Sequence, residues 1–265
     1  MELNHEVVTE APRPSATVVL LRDDRQRGLE VFLLRRHMAS AVLGGAYVFP
    51  GGKLDEEDGA ADQLAAHAAH APTWLTRLAE PDLLAHQAVG LYVAAVREVA
   101  EECGITLQPS QLIPWSRWIT PQQPSITNRR FDTRFFLAAL PPGQEPVHDA
   151  VEAIESQWFT PREALESFWA GHLSLAPPQI MTLVSLVMHQ SVHDALLYAQ
   201  NRKPPRILPE PFDHEGVRII CYPGDVRHSV AERAFPGPTR LRFVQGRFEP
   251  DGGLRALIEP QPLAS

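Results

Sequence analysis

Apolar and polar positions alternate along this chain in two rhythms, and each changeover marks an element. Ser15–Arg22 and Leu29–Arg36 are apolar, β-branched runs separated by a turn cluster from Asp23 to Gly28, which predicts a strand, a hairpin loop and a second strand. Tyr47–Pro50 reads as a short strand entering a Gly51-Gly52 turn. From Gly59 to Val96 the rhythm changes to an alanine-rich helical spacing that Pro72 and Pro81 divide. The pattern there predicts a short helix over 60–71, a turn or two, and a long helix from 82 through 102.

Strands are predicted over Trp115–Ile119 and Phe131–Ala139, joined by a polar loop from Thr120 to Arg130. Thr160-Pro161-Arg162-Glu163 is a helix start, with a Thr cap, Pro at the first helical position and a Glu closing the capping box. Pro177–Gln200 keeps a helical apolar spacing over its whole length, and the remainder reads as extended segments at 217–222, 241–248 and 254–259. The order implies an α/β (α+β) chain. Its expected parts are a flexible arm over 1–14, a main domain over 15–203 with a helical insertion at 59–96, and a β-rich extension over 204–265 packed on it.

Composition narrows the function more than the fold. A formal charge of −8 over 265 residues argues against a general nucleic-acid binder, which needs basic patches, so an anionic ligand must be held by local cations or a bound metal. No stretch approaches the length of apolar chain that spans a membrane, and no membrane partner is expected. Cys103 and Cys221 cannot build a disulfide framework, and the expectation is a reducing, cytoplasmic setting. The final Pro262-Leu263-Ala264-Ser265 is not a peroxisomal Ser-Lys-Leu signal.

The chemistry concentrates in Arg97-Glu98-Val99-Ala100-Glu101-Glu102-Cys103-Gly104-Ile105. On a helix Glu98 and Glu102 share a face with Glu101 beside them, while Val99, Ala100 and Cys103 can face a core. Like charges so close repel unless a hard cation lies between them, and oxygen-only ligation suits Mg²⁺ or Mn²⁺. Gly104 ends the helix, and upstream the side-chain-free Gly51-Gly52 lets backbone approach a metal or phosphate. Without those glycines, a solvated acidic helix face would be the better account of the carboxylates.

Taken together, these two stretches resemble the signature of the Nudix hydrolase superfamily. Asp58 stands where the family has its first Glu, and residues 59 to 96 fill what is only a short spacer in the family pattern. An interrupted box of this kind is similar to that of the subgroup that includes the mammalian peroxisomal coenzyme A diphosphatase. The resemblance implies an α/β/α sandwich and a metal-dependent diphosphatase. It assigns Glu98, Glu101, Glu102 and the Gly52 carbonyl to the metal, and Arg97 to orienting an acid such as Asp58 by a bidentate pair, with Glu56 or Glu57 as the alternatives. It also implies a further acid, ligand or base, at Glu152 or Glu155.

Arg36 at a strand end and Gln122, Arg129 and Arg130 on the 120–130 loop are candidate substrate contacts, because loops commonly present such donors to phosphate or ribose. Trp115 and Trp118 would either pack in the core or stack on a base. The pairs His67/His70 and His189/His193 have helical spacing but no third ligand nearby in sequence, which favours packed or solvated histidines.

The expected reaction is hydrolysis of a nucleoside diphosphate linked to another moiety, with coenzyme A or acyl-CoA first. ADP-ribose, NADH and dinucleoside polyphosphates are the alternatives, as is a non-catalytic nucleotide-binding module. Zinc-ribbon cysteines of the kind found in some NADH diphosphatases are absent. The 177–200 helix and the inserted helix are candidate homodimer contacts.

Overall fold

The computed structural model describes residues 3–40, 43–149 and 151–263. Strands β1 (Arg13–Asp24) and β2 (Gly28–Arg36) form the expected hairpin, followed by the short β3 (Tyr47–Val48) and β4 (Gly51–Lys53). A 3-10 turn at Glu56–Gly59 leads into α1 (Ala61–Ala66), α2 (Ala71–Leu78) and the long α3 (Ala85–Cys103). Then come β5 (Ile113–Ile119), β6 (Phe131–Ala139) and β7 (Ala153–Phe159), and helices α4 (Pro161–Trp169), α5 (Pro177–Leu186) and α6 (Val192–Gln200). The last part holds β8 (Arg206–Ile207), β9 (Glu210–His214), β10 (Val217–Cys221), β11 (Arg240–Val244), β12 (Arg247–Glu249) and α7 (Gly253–Ile258).

The main sheet runs β3-β2-β1-β6-β5-β8, with β4 pairing β1 and β7 pairing β2. It is mixed, because β1 lies parallel to β6 and β5 parallel to β8 while the other neighbours are antiparallel. Alternation along β1 divides the core: Ala16, Val18 and Leu20 face α2 and α3, and Val19 and Leu21 face α4, α5 and α6 on the other side. The result is a sandwich of helices, sheet and helices. A separate antiparallel sheet, β12-β11-β10-β9, completes the chain's strands.

Helix α3 is held by its apolar stripe. Ala88, Leu91, Tyr92, Ala95 and Val99 are at most 1% exposed, and the Tyr92 ring stacks on Trp74 of α2 at 4.5 Å between centroids. Gly104 closes the helix in the left-handed conformation, its N–H donating to the Ala100 carbonyl at 3.0 Å.

Four expectations differ from the observed chain. Pro72 does not end a helix but sits in the first turn of α2, where its missing N–H costs no hydrogen bond, so the insertion carries one more helix than its prolines suggest. The continuous helix over 177–200 is two, because Ser191 caps α6 by accepting from the Asp194 N–H and leaves 187–191 as a turn. Residues 254–259 are mostly helix α7 instead of a strand. The N-terminal stretch is tied down rather than a loose arm: the Asn4 and Val8 N–H groups donate to the Ser125 and Gln122 carbonyls at 2.8 Å each. Ala264 and Ser265, part of the C-terminal reading, lie outside the described residues. No helix among the described residues is long and apolar enough to cross a membrane.

Candidate active site

The two halves of the split motif meet through Arg97. Its Nε and Nη2 donate to the two Asp58 carboxylate oxygens at 2.9 Å each, a bidentate pair in which Asp58 is only 3% exposed. Asp58 is also held from its own side, accepting the Asp55 N–H at 2.9 Å. Arg97 Nη1 donates to Glu98 and to Glu101 at 3.0 Å each, and Nη2 reaches the Lys53 carbonyl at 3.2 Å. The guanidinium is therefore saturated by protein acceptors, which hold its pKa above the usual arginine value, the Asp58 hydrogen bonds foremost. Its N–H groups are thereby committed to the protein's own acceptors.

The glycine turn is crowded from two sides, by Glu98 of α3 and by the backbone of β1. A Cβ on Gly52 would fall 2.3 to 2.5 Å from the Glu98 carboxylate atoms. Gly51, at φ 151°, donates its N–H to Glu102 Oε2 at 2.9 Å, and a Cβ there would meet the Ala16 carbonyl oxygen at 2.4 Å. A second close approach anchors the insertion: the Cβ missing from Gly90 of α3 would meet the Gly59 backbone at 3.2 Å. That contact was not legible in sequence, since the two glycines lie far apart along the chain.

Glu98 and Glu102 both face this turn and are largely buried, while Glu101 points outward to solvent and Arg97. Burial pushes the Glu102 carboxyl up to about 8; the Gly51 N–H opposes the rise, and the charges on Glu98 and Glu152 add to it. Burial also raises Glu98, against the pull of Arg97 and with repulsion from Glu101 and Glu152. Arg97 and Arg36 offset only part of this charge, and a divalent cation would supply the rest.

The donor set fits one: oxygen ligands one helical turn apart beside a backbone with no Cβ to obstruct it. Among the described residues no three acid, histidine or cysteine side chains already converge as a closed metal cage. Glu98 is held through one oxygen by Arg97, and Glu102 through one oxygen by Gly51, so a bound ion would have to draw the carboxylates inward.

Of the two further acids, the structure brings Glu152 to the site and not Glu155. Glu152 lies 3.9 Å from Arg36, and its charge acts on both Glu98 and Glu102. Glu155 pairs instead with Arg35 across the sheet and accepts from the Tyr47 hydroxyl at 3.0 Å. Arg36, Arg129 and Glu152, with His37, Ser40 and Val151, line an open cavity of about 350 Å³. His37 was missed by sequence reasoning, although it directly follows the arginine pair at the end of β2.

The other candidates are placed elsewhere. Arg130 is spent on backbone, donating to the Thr120 and Glu10 carbonyls at 3.0 and 2.8 Å, and Gln122 is exposed, its carbonyl taken by Val8. Trp115 is core, with Arg202 stacked 4.4 Å from its ring centre. His67 and His70 pack on Trp74, and His189 lies in the turn before α6 with its Nδ1 3.1 Å from Asp194.

The NUDT19 Nudix domain model matches residues 109–186, a segment that begins after the split motif and so agrees with it independently. The chain is similar to Nudix hydrolases in this segment. A Nudix relative from Caenorhabditis elegans named putative nudix hydrolase 7 is 28% identical over 251 residues, covering 88% of this chain and 80% of that protein. The human protein named acyl-coenzyme A diphosphatase NUDT19 is 28% identical over 253 residues, covering 69% of this chain and 67% of its own length. A solved NUDIX hydrolase from Alicyclobacillus acidocaldarius has the same fold, with a TM-score of 0.55 at 24% identity over 72% of this chain and 97% of that one.

Proposed function

We propose that this Nudix enzyme hydrolyses the diphosphate linkage of a nucleoside diphosphate joined to another moiety, with coenzyme A or an acyl-CoA as the first candidate. The observation that carries the proposal is the pair of buried carboxylates, Glu98 and Glu102, set against Gly51-Gly52 beside a cavity that presents Arg36 and Arg129. The acyl-coenzyme A diphosphatase name of the human relative supports the substrate.

Each residue then has a part. Glu98 and Glu102 would hold a divalent ion, Mg²⁺ or Mn²⁺, with the Gly52 backbone next to it. When bound, that ion neutralises charge on the phosphoryl oxygens and acidifies a water. Arg97 fixes Glu98 in place and ties α3 to Asp58. Arg36 and Arg129, which line the adjoining cavity, would neutralise the diphosphate. Glu152, 3.9 Å from Arg36 and felt electrostatically by both buried acids, would accept a proton from the attacking water.

The test is a substrate panel with Mg²⁺ and with Mn²⁺, with products identified by mass. Coenzyme A should give 4′-phosphopantetheine and 3′,5′-ADP. Faster turnover of ADP-ribose, NADH or a dinucleoside polyphosphate would reassign the substrate, and no turnover of any diphosphate would reject catalysis in favour of a binding module.

A further inference from the structure

A second cavity, of about 200 Å³, lies beneath the 120–131 loop on the sheet face away from α3. Its wall is mostly apolar and aromatic, with Trp118, Phe131, Phe135, Pro177 and Ile220 among its lining. Among the polar side chains that interrupt that wall, two are buried without a partner. Ser125 and Gln179 are 6% and 8% exposed, and neither Ser125 Oγ nor Gln179 Oε1 has a hydrogen-bond partner. A buried polar atom left unpaired costs about 1–3 kcal/mol, so a ligand that pairs both gains what the empty fold forgoes.

The cavity adjoins the carboxylate site. Thr17 lines it and lies in register with Gly51, whose N–H holds Glu102. The same loop serves both spaces, with Thr127 lining the apolar cavity and Arg129 the cationic one. A molecule with its phosphates on Arg36 and Arg129 would therefore direct one end into the apolar space.

We propose that this space receives the nucleobase of the substrate, with an exocyclic N–H of an adenine-type base donated to Gln179 Oε1 and the ring among Trp118, Phe131 and Phe135. The proposal rests on the diphosphatase reading and adds which half of the substrate is recognised, and by what. An aliphatic chain would fill the apolar wall but leave Gln179 and Ser125 unpaired. A glutamine amide matches the donor–acceptor edge of adenine, and aromatic side chains stack on any base.

The experiment measures binding to the full chain by calorimetry, without turnover. The probes are AMP, purine riboside 5′-monophosphate, which lacks only the 6-amino group, and 4′-phosphopantetheine. The wild-type protein should prefer AMP to the purine analogue by about fivefold, the value of one neutral hydrogen bond. In Gln179→Leu that ratio should fall to about one, with the melting temperature kept or raised because an unpaired buried atom is gone. Gln179→Met, closer in length, carries the same expectation should the leucine variant not fold. Equal binding of the two purines by wild type, or a ratio unchanged by the substitution, would overturn the proposal. So would Gln179-dependent binding of 4′-phosphopantetheine in place of AMP. Diphosphate turnover is read separately, so its failure would strike the activity and leave this result standing.

Discussion

Arg97 and Asp58 face each other across the helical insertion, and their bidentate pair at 2.9 Å joins the two halves of a motif that the chain has separated. One shorter acid suffices because the 3-10 turn at Glu56–Gly59 brings Asp58 up to the guanidinium, with the Asp55 N–H fixing its carboxylate. Lysine cannot reproduce the fork. Arg97→Lys should therefore lower turnover by about 10–100-fold, the usual effect of removing a group that orients metal ligands, while the far-ultraviolet circular dichroism spectrum is retained. Steady-state kinetics at saturating metal check it, and wild-type turnover would show that the pair is dispensable.

Gly52→Ala should be as damaging as loss of a charge. The added methyl group would occupy space now filled by the Glu98 carboxylate, and displacing that group by about 1 Å is enough to cost on the order of a hundredfold in rate. Metal titration by calorimetry should show weakened binding in the same variant. Unchanged affinity would mean that Glu98 moves aside without consequence.

The metal-free enzyme should lose stability as pH rises. The Glu102 carboxyl is pushed up from an ordinary value of 4.5 to about 8, chiefly by burial, so between those values the folded state binds a proton that the unfolded state has released. Stability contributed by the neutral form is present at low pH and lost as pH climbs toward and through about 8. In chelator the melting temperature should fall by several degrees between pH 6 and pH 9, and saturating Mn²⁺ should reduce that slope. A melting temperature flat in pH without metal would contradict the burial assigned to Glu102.

The insertion is docked by charge as well as by its glycine contact. Glu80, just beyond α2, lies 2.7 Å from Arg117 and 2.6 Å from Arg134, and Asp132 completes the cluster at 2.7 and 3.0 Å from the same arginines. Arg134 is 5% exposed, so removing one acid leaves a buried charge short of its partner. Glu80→Gln should destabilise the fold by about 3 kcal/mol in urea unfolding. Tyr92→Phe should do the reverse, gaining about 1 kcal/mol, because the Tyr92 hydroxyl is buried without a partner while its ring stays stacked on Trp74.

The parts that sequence exposed are those with local signals. The β1–β2 hairpin, β6, the Thr160 cap and the Gly104 stop each arise from residues within a few positions of one another, and all are present. The misread parts depended on context. Pro72 starts a helix because Trp74 and Leu78 bury that helix's apolar face, and Ser191 breaks the 177–200 run because Asp194 completes a cap that apolar periodicity does not register. At the site, the spacing of Glu98, Glu101 and Glu102 was visible, but which of them faces the glycine turn was not. Glu152 and Glu155 could not be separated by sequence, since only the pairing of β7 with β2 carries Glu155 to Arg35 and Tyr47. The cluster of Glu80, Arg117, Asp132 and Arg134 joins distant segments and left no local mark.

The central claim, that the reunited motif is a metal-dependent diphosphatase site, is tested most directly by one comparison. Wild type and Glu102→Gln are assayed on coenzyme A with Mg²⁺ and with Mn²⁺, with products followed by mass and folding checked by thermal melting. The account predicts 4′-phosphopantetheine and 3′,5′-ADP from wild type and no detectable product from a folded Glu102→Gln. Equal turnover by the two proteins would contradict it.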